Sequence, residues 1–364
     1  MFRFVRIFKP KSKKKKILLI VLSIVTILMI AGDWALSVMV YNENFNLRFE
    51  SYEPLTPHVD DFDGLQRTKY EFRSDKGQKL AGYLYQSGED QHGIIVMAHG
   101  FGGGGHSSYM DCANYFASHG YYVFSYDATG NDESEGEGVG GLPQGVIDLD
   151  HAITFVEESG NFPNLPIALF GHSWGGYSVC SVLTYHPEVK AVIACSGFNA
   201  SASLFEAEGK KQAGNGIYLM LPFVKLHEKI RYGKYASNTA MDGFAKSNAA
   251  IKIVHSFDDE VVPVEYGYDI YYEKYRDDSR FSFVPLENKG HNYFNDETYR
   301  NAFHSELDAW LQTLDYNYHA EENRERFSED KASYIYQHLD QEKWYHSLNL
   351  ELFGDFVDFY DAHM

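Results

Sequence analysis

Short apolar runs alternate with helically spaced segments through the middle of the chain. Residues 70–72 and 80–85 predict an antiparallel pair of strands. Six further runs follow: IIVMA (94–98), YYVFSY (121–126), IALF (167–170), AVIA (191–194), IKIV (251–254) and FSFV (281–284). Each is four to six residues long, rich in β-branched and aromatic residues, and lacks the in/out alternation of a strand with one wet face. Between most of them, residues 110–118, 146–158, 174–183 and 264–275 carry apolar positions at helical spacing. The pattern predicts an α/β fold with a mostly parallel sheet covered by helices on both faces, over residues 66–318.

Three segments depart from this rhythm. Residues 197–247 intervene between two strands without a strand of their own, carry the apolar patch IYLMLPF at 217–223, and read as a helical cap over the C-terminal edge of the sheet. Residues 319–364 are first charged and then aromatic; Leu352, Phe356 and Phe359 recur at helical spacing and predict a terminal helix packed on the body. At the other end, residues 17–41 are 25 residues whose only charge is Asp33, long enough to cross a bilayer. Residues 42–65 follow with no sustained period and with two prolines, and read as a linker holding the domain off the membrane.

Charge fixes the orientation expected of the apolar segment. Residues 1–16 hold eight Lys/Arg and no acid, so this flank stays cytoplasmic and residues from about 42 onward lie outside the cell. The rival reading is a signal peptide cut near Ala35-Leu36-Ser37, which makes the protein secreted. A lipoprotein is excluded by the absence of a cysteine just after the segment, the first being Cys112. Residues 17–364 carry 24 Lys/Arg against 51 Asp/Glu, a net −27, which excludes nucleic acid as a partner. Cys112, Cys180 and Cys195 are too few and too scattered for a disulfide framework or a zinc site, and read as small buried residues.

Candidate chemistry centres on GHSWG, residues 171–175. A strand ends just before Ser173 and a helix starts just after it, the setting of a nucleophile elbow, whose strained turn demands tiny residues two before and two after the serine; Gly171 and Gly175 meet that demand. A serine hydroxyl needs a base, and the base needs an orienting acid. The loops after the last two strands supply both: HSFDDEVVP (255–263) offers Asp259, with Asp258 as its alternative, and NKGHN (288–292) offers His291. His304, on a predicted helix, is a poor rival base. An oxyanion needs two backbone N–H donors, for which Trp174 and Phe101, in the loop HGFGGGG (99–105), are the candidates.

Two other chemistries compete for the same residues. Residues 100–105 also fit G-x-G-x-x-G, with Asp127 at the end of the next strand, as in a dinucleotide-binding fold. That reading leaves the elbow, Asp259 and His291 unexplained. A metal site at Asp258, Asp259 and Glu260 is weaker still, since consecutive residues on an extended loop point in different directions.

Taken in order, HGFGG (99–103), GHSWGG (171–176), HSFDDEVVP (255–263) and KGHN (289–292) resemble the serine-hydrolase branch of the α/β-hydrolase superfamily that includes monoacylglycerol lipases, small-acyl esterases and serine aminopeptidase-like proteins. The resemblance spans roughly residues 67–315. It implies Ser173 as nucleophile, Asp259 as acid and His291 as base, with no cofactor and no metal. The loop DATGNDESEG (127–136) resembles the family's Asp-x-Arg-Gly-His-Gly-x-Ser-x-Gly but lacks its arginine, histidine and middle glycine, and Ser256 replaces a usual glycine. The expected activity is hydrolysis of a small-molecule or lipid acyl ester through an acyl-enzyme. Peptide hydrolysis, acyl transfer and a non-catalytic surface binding protein are the alternatives.

Overall fold

The computed structural model describes residues 13–364; the basic flank of residues 1–12 lies outside the described residues. In chain order the elements are α1 (Lys13–Phe45), β1 (Gln66–Arg73), β2 (Lys79–Gln86), β3 (Gly93–Ala98), α2 (Met110–Ser118), β4 (Tyr121–Tyr126), α3 (Gln144–Glu158), β5 (Ile167–His172), α4 (Trp174–Ser181) and β6 (Ala191–Cys195). Then come α5 (Ser201–Ala213), α6 (Ile217–Tyr232), α7 (Ala240–Lys246), β7 (Ala250–Ser256), α8 (Tyr268–Tyr275), β8 (Phe281–Leu286), α9 (Glu297–Leu311), α10 (Arg324–His338), α11 (Gln341–Tyr345) and α12 (Leu350–His363).

The strands form one sheet in the order β1-β2-β4-β3-β5-β6-β7-β8, with β2 antiparallel to both its neighbours and the rest parallel. β3, β5 and β6 are fully or nearly fully buried, as their unbroken apolar runs require. Parallel pairing aligns Ala98 with Gly171 and His172 with Cys195. The loops after β3, β5, β7 and β8 therefore leave from one edge, and that edge gathers the candidate residues.

Two apolar layers sandwich the sheet. One contains α3, α4, α8 and the helices α5 and α6, which stand where a cap was expected. The other contains α2, α9 and the C-terminal helices. α12 packs as the spacing of Leu352, Phe356 and Phe359 predicts: all three are buried, as are Phe353 and Tyr360, and the Tyr360 hydroxyl donates to the Leu169 carbonyl at 2.8 Å. The ammonium of Lys252, buried on β7, donates to the Asp355 carbonyl at 3.1 Å and pairs with its carboxylate.

The N-terminal region departs from the expected linker. α1 does not end at 41 but runs to Phe45, and Ser37, Tyr41 and Phe45, one turn apart, are buried. Tyr41 lies against Phe205 (6.0 Å between centroids) and Phe45 against Phe101 (5.8 Å). The following residues are also tied down. Phe49 bridges to Asn131, and the Arg48 guanidinium donates to the carbonyls of Ser134 and Gly136. Phe62 and Leu65 are buried. Residues 42–65 are thus part of the folded body: Phe45, Phe62 and Leu65, scattered through a polar stretch, bury their apolar surface against it.

Glu228 joins α6 to α1. Its carboxylate is buried and accepts from the Tyr41 hydroxyl and the Ser201 hydroxyl, each at 2.6 Å. Burial pushes its pKa up from 4.5 to about 7, against the opposing effect of those two hydrogen bonds and Lys225. A carboxyl raised on folding supports the native state fully below its unfolded pKa, and that support is lost as pH rises through the folded value. Glu228→Gln is therefore expected to remove a fall in stability between pH 4.5 and about pH 7 to which this carboxyl contributes about 3 kcal/mol in the parent. Thermal unfolding of both proteins in detergent across that range measures it.

Candidate active site

Ser173 follows β5 directly, with φ 57° and ψ −115°, a conformation that costs an L-residue energy and is held by its surroundings. The flanking glycines are obligatory on steric grounds. A Cβ on Gly171 would stand 2.3 Å from the Gly175 carbonyl oxygen, and one on Gly175 would stand 2.0 Å from that of Ala98. The Ser173 amide donates to Cys195 at 2.8 Å, and the side chain sits at the N-terminus of α4, where the dipole favours negative charge.

The two late loops bring Asp259 and His291 together. His291 Nδ1–H donates to Asp259 Oδ2 at 2.7 Å. Asp259 Oδ1 accepts the amides of Val261 and Val262, both at 2.9 Å. Burial raises the Asp259 pKa, but hydrogen bonds from His255, His291 and the Val262 amide outweigh it and hold the carboxyl well below the usual range. Asp258 does not touch the imidazole. It is exposed and accepts from the Ser256 hydroxyl and from the amides of Lys289 (3.1 Å) and Gly290 (3.2 Å), fastening the loop that carries His291. Ser256, in the place of the glycine usual in the resembled family, serves that fastening.

Ser173 and His291 line one cavity of about 650 Å³. Its apolar wall includes Phe45, Phe101, Leu204 and Val261; its polar wall includes Asp111, Asn295, Arg300 and His304. Gly100–Gly103 contribute their backbone to the same cavity. Among the described residues, the N–H groups of Phe101 and Trp174 donate no hydrogen bond, leaving both free for an anionic oxygen. The Trp174 ring is fixed by its Nε1–H, which donates to the Leu142 carbonyl at 2.7 Å, and by the edge of Phe101 at 5.7 Å.

The dinucleotide reading fails on Asp127. Its Oδ1 accepts both the backbone N–H (2.8 Å) and Nδ1–H (2.7 Å) of buried His106, and a Cβ on Gly105 would meet that oxygen at 1.9 Å. The carboxylate is used inside the protein to pin the glycine loop, and no room remains beside it for a ribose.

Three supporting residues escaped sequence reasoning. His255 is fully buried, and its Nε2–H lies between the Val262 carbonyl (2.8 Å) and Asp259 Oδ2 (3.2 Å). His172, the variable position of the elbow motif, donates from Nε2 to the His291 carbonyl at 3.0 Å and accepts at Nδ1 from the Tyr109 hydroxyl at 2.9 Å. That hydroxyl accepts in turn from the Gly100 amide at 3.1 Å, so one chain of hydrogen bonds joins the glycine loop to the His291 loop. Burial and the nearby His291 push the His172 pKa down to about 3, which keeps it neutral and able to accept from Tyr109. The i, i+4 spacing of His255 and Asp259 was a visible signal; the 119 residues between His172 and His291 left none. His172→Ala is expected to lower kcat about 10- to 100-fold with KM little changed, since loss of a positioning contact misplaces the base. Steady-state kinetics separates the two constants.

Residues 89–241 match the family model described as serine aminopeptidase, S33. An esterase of Pyrococcus furiosus, solved in three crystal forms, superposes with TM-scores of 0.51, 0.52 and 0.53 at 14–15% identity, covering 73% of this chain and 96–98% of its own. Acetyl xylan esterase 1 from Thermoanaerobacterium is similar at a TM-score of 0.48 and 15% identity, covering 76% of this chain and 92% of its own. An acylaminoacyl peptidase of Pyrococcus horikoshii matches at 0.48 and 18%, over 64% of this chain and 38% of its own. Comparison with curated protein sequences finds no match.

Proposed function

We propose that the chain, which has the α/β-hydrolase fold, is a membrane-anchored serine hydrolase that cleaves carboxylic esters. The observation that carries this reading is the convergence on one cavity of Ser173, at a strained elbow, and His291, whose Nδ1–H is held by Asp259. In the proposed reaction Ser173 Oγ attacks the ester carbonyl while His291 Nε2 takes its proton. Asp259 orients the imidazole and stabilises the imidazolium that forms. The N–H groups of Phe101 and Trp174 hold the developing oxyanion. His291 returns the proton to the departing alcohol, and the same steps with water release the acid.

An ester suits the apolar wall of Phe45, Phe101, Leu204 and Val261, which offers an acyl chain a dry surface. A peptide with a free N-terminus is the second reading, favoured by the match to the serine aminopeptidase model and by Glu208, a carboxylate on the cavity wall. Short- and medium-chain nitrophenyl esters assayed beside aminoacyl nitroanilides separate the two. The ester reading expects kcat/KM to be higher for the esters and to rise with acyl length; faster turnover of the nitroanilides would contradict it.

Anchoring rests on α1, whose window of highest hydropathy averages 2.4 with none of its residues buried. The basic flank before it favours a cytoplasmic N-terminus and an extracytoplasmic catalytic domain. Retention of α1 is supported by Trp34, which packs on Phe223 of α6 and which a cut near Ala35–Ser37 would strip away.

A further inference from the structure

α6 is apolar on two opposite faces. Ile217, Leu221 and Val224 form the stripe that packs inward, whereas Leu219, Leu226 and Ile230, half a turn away, are 71%, 44% and 68% exposed. A helix that is hydrophobic on both sides needs a cover on both.

Three observations say what the second cover is. The first is register with α1. Trp34 meets Phe223 (6.3 Å between ring centroids), and Tyr41 meets His227 (5.7 Å) and Glu228 (2.6 Å), so the contacts advance in the same direction along both helices. The N-terminal end of α6, with Tyr218 and Leu219, therefore points toward the exposed apolar length of α1.

The second is depth. At 1.5 Å per residue, residues 17–36 span about 30 Å, the thickness of a hydrocarbon core. The span then ends at Trp34 and Leu36, and a tryptophan there marks the interface. Phe223 is level with Trp34, which sets Leu219 one turn deeper.

The third is charge. Residues 217–234 carry Lys225, Lys229, Arg231 and Lys234 against Glu228 alone, a local +3 in a body of −27. Basic residues beside an apolar stripe fit a surface of anionic headgroups over acyl chains.

We propose that the N-terminal half of α6, with Leu219 foremost, lies in the outer leaflet of the bilayer that α1 spans. This rests on the reading of α1 as a membrane anchor. The cap is then a second, interfacial contact with lipid, and it fixes the cavity that Leu204 of the adjoining α5 helps to line at a set height above the membrane.

The test is nitroxide labelling of the full chain, reconstituted in vesicles of phosphatidylcholine and phosphatidylglycerol, with one label per protein. Leu219→Cys reports the cap, Val25→Cys the span and Glu273→Cys an exposed reference on α8; the three native cysteines are buried. The proposal expects the ratio of oxygen to aqueous nickel accessibility at position 219 to exceed that at 273 several-fold and to approach that at 25. A ratio at 219 equal to that at 273, with position 25 in lipid, would leave the anchor standing and overturn the docking. Shielding of 219 from both reagents, with spin–spin broadening, would overturn it in favour of a second copy of the chain. An aqueous ratio at 25 would remove the anchor itself, and the docking with it.

Discussion

Asp259→Asn is expected to lower kcat for ester hydrolysis by about 10⁴-fold, the scale seen when the acid of such a triad becomes an amide. The cause is the atom it presents to His291. Oδ2 of Asp259 accepts Nδ1–H at 2.7 Å, which fixes the tautomer with Nε2 free to take a proton. An asparagine amide can donate at that point and select the opposite tautomer. The backbone amides of Val261 and Val262 on Oδ1 leave the side chain little freedom to turn away. Asp258→Asn is the matched control, since that residue touches the amides of Lys289 and Gly290 and not the imidazole. It should cost about tenfold or less, through a looser loop. Paired kcat and KM measurements, with circular dichroism to confirm folding, decide which aspartate is the acid; equal losses in both variants would remove the distinction.

Phe45→Ala is expected to destabilise the folded domain by about 3–5 kcal/mol, the usual cost of emptying a buried phenylalanine site. Phe45 is 5% exposed and lies among Tyr41, Phe101 and Phe205, with ring centroids 5.4, 5.8 and 6.2 Å away. It also lines the cavity, so ester turnover should fall with stability. Leu28→Ala, at a position of α1 that is 65% exposed, should leave the midpoint of domain unfolding unchanged. Denaturant unfolding in detergent, followed by tryptophan fluorescence, measures both. A Phe45 variant as stable as the parent would mean that α1 is an appendage, and that its last turns do not belong to the catalytic body.

The contrast between these two sites shows what local sequence carries. Strands β3, β5 and β6 were legible because a buried parallel strand is an unbroken run of β-formers, and IALF or AVIA has no other economical reading. The elbow was legible because close backbone approach tolerates glycine alone, and both glycines stand at fixed distance from Ser173. The end of α1 was not. Asn42, Glu43 and Asn44 interrupt the apolar run and read locally as a linker, while Tyr41 and Phe45 owe their burial to residues of α5 such as Phe205, far away in sequence. Asp127 had no legible role for a related reason: an acid at the end of a strand beside a glycine loop also suits a ribose, and only the fold reveals that His106 already occupies it. His172 and Tyr109, which tie the glycine loop to the His291 loop, were silent because hydrogen bonds between distant segments leave no periodic trace.

The most direct test of the proposed chemistry is covalent labelling of the full chain with a fluorophosphonate, followed by mapping of the adduct by mass spectrometry. The reagent needs an activated serine and an oxyanion site together, so it reports the assembled machinery and not the mere presence of its parts. One adduct is expected, on Ser173, absent from Ser173→Ala and strongly reduced in His291→Ala. A folded parent protein that takes no label, or one labelled equally well after Ser173→Ala, would contradict the assignment of Ser173 as nucleophile.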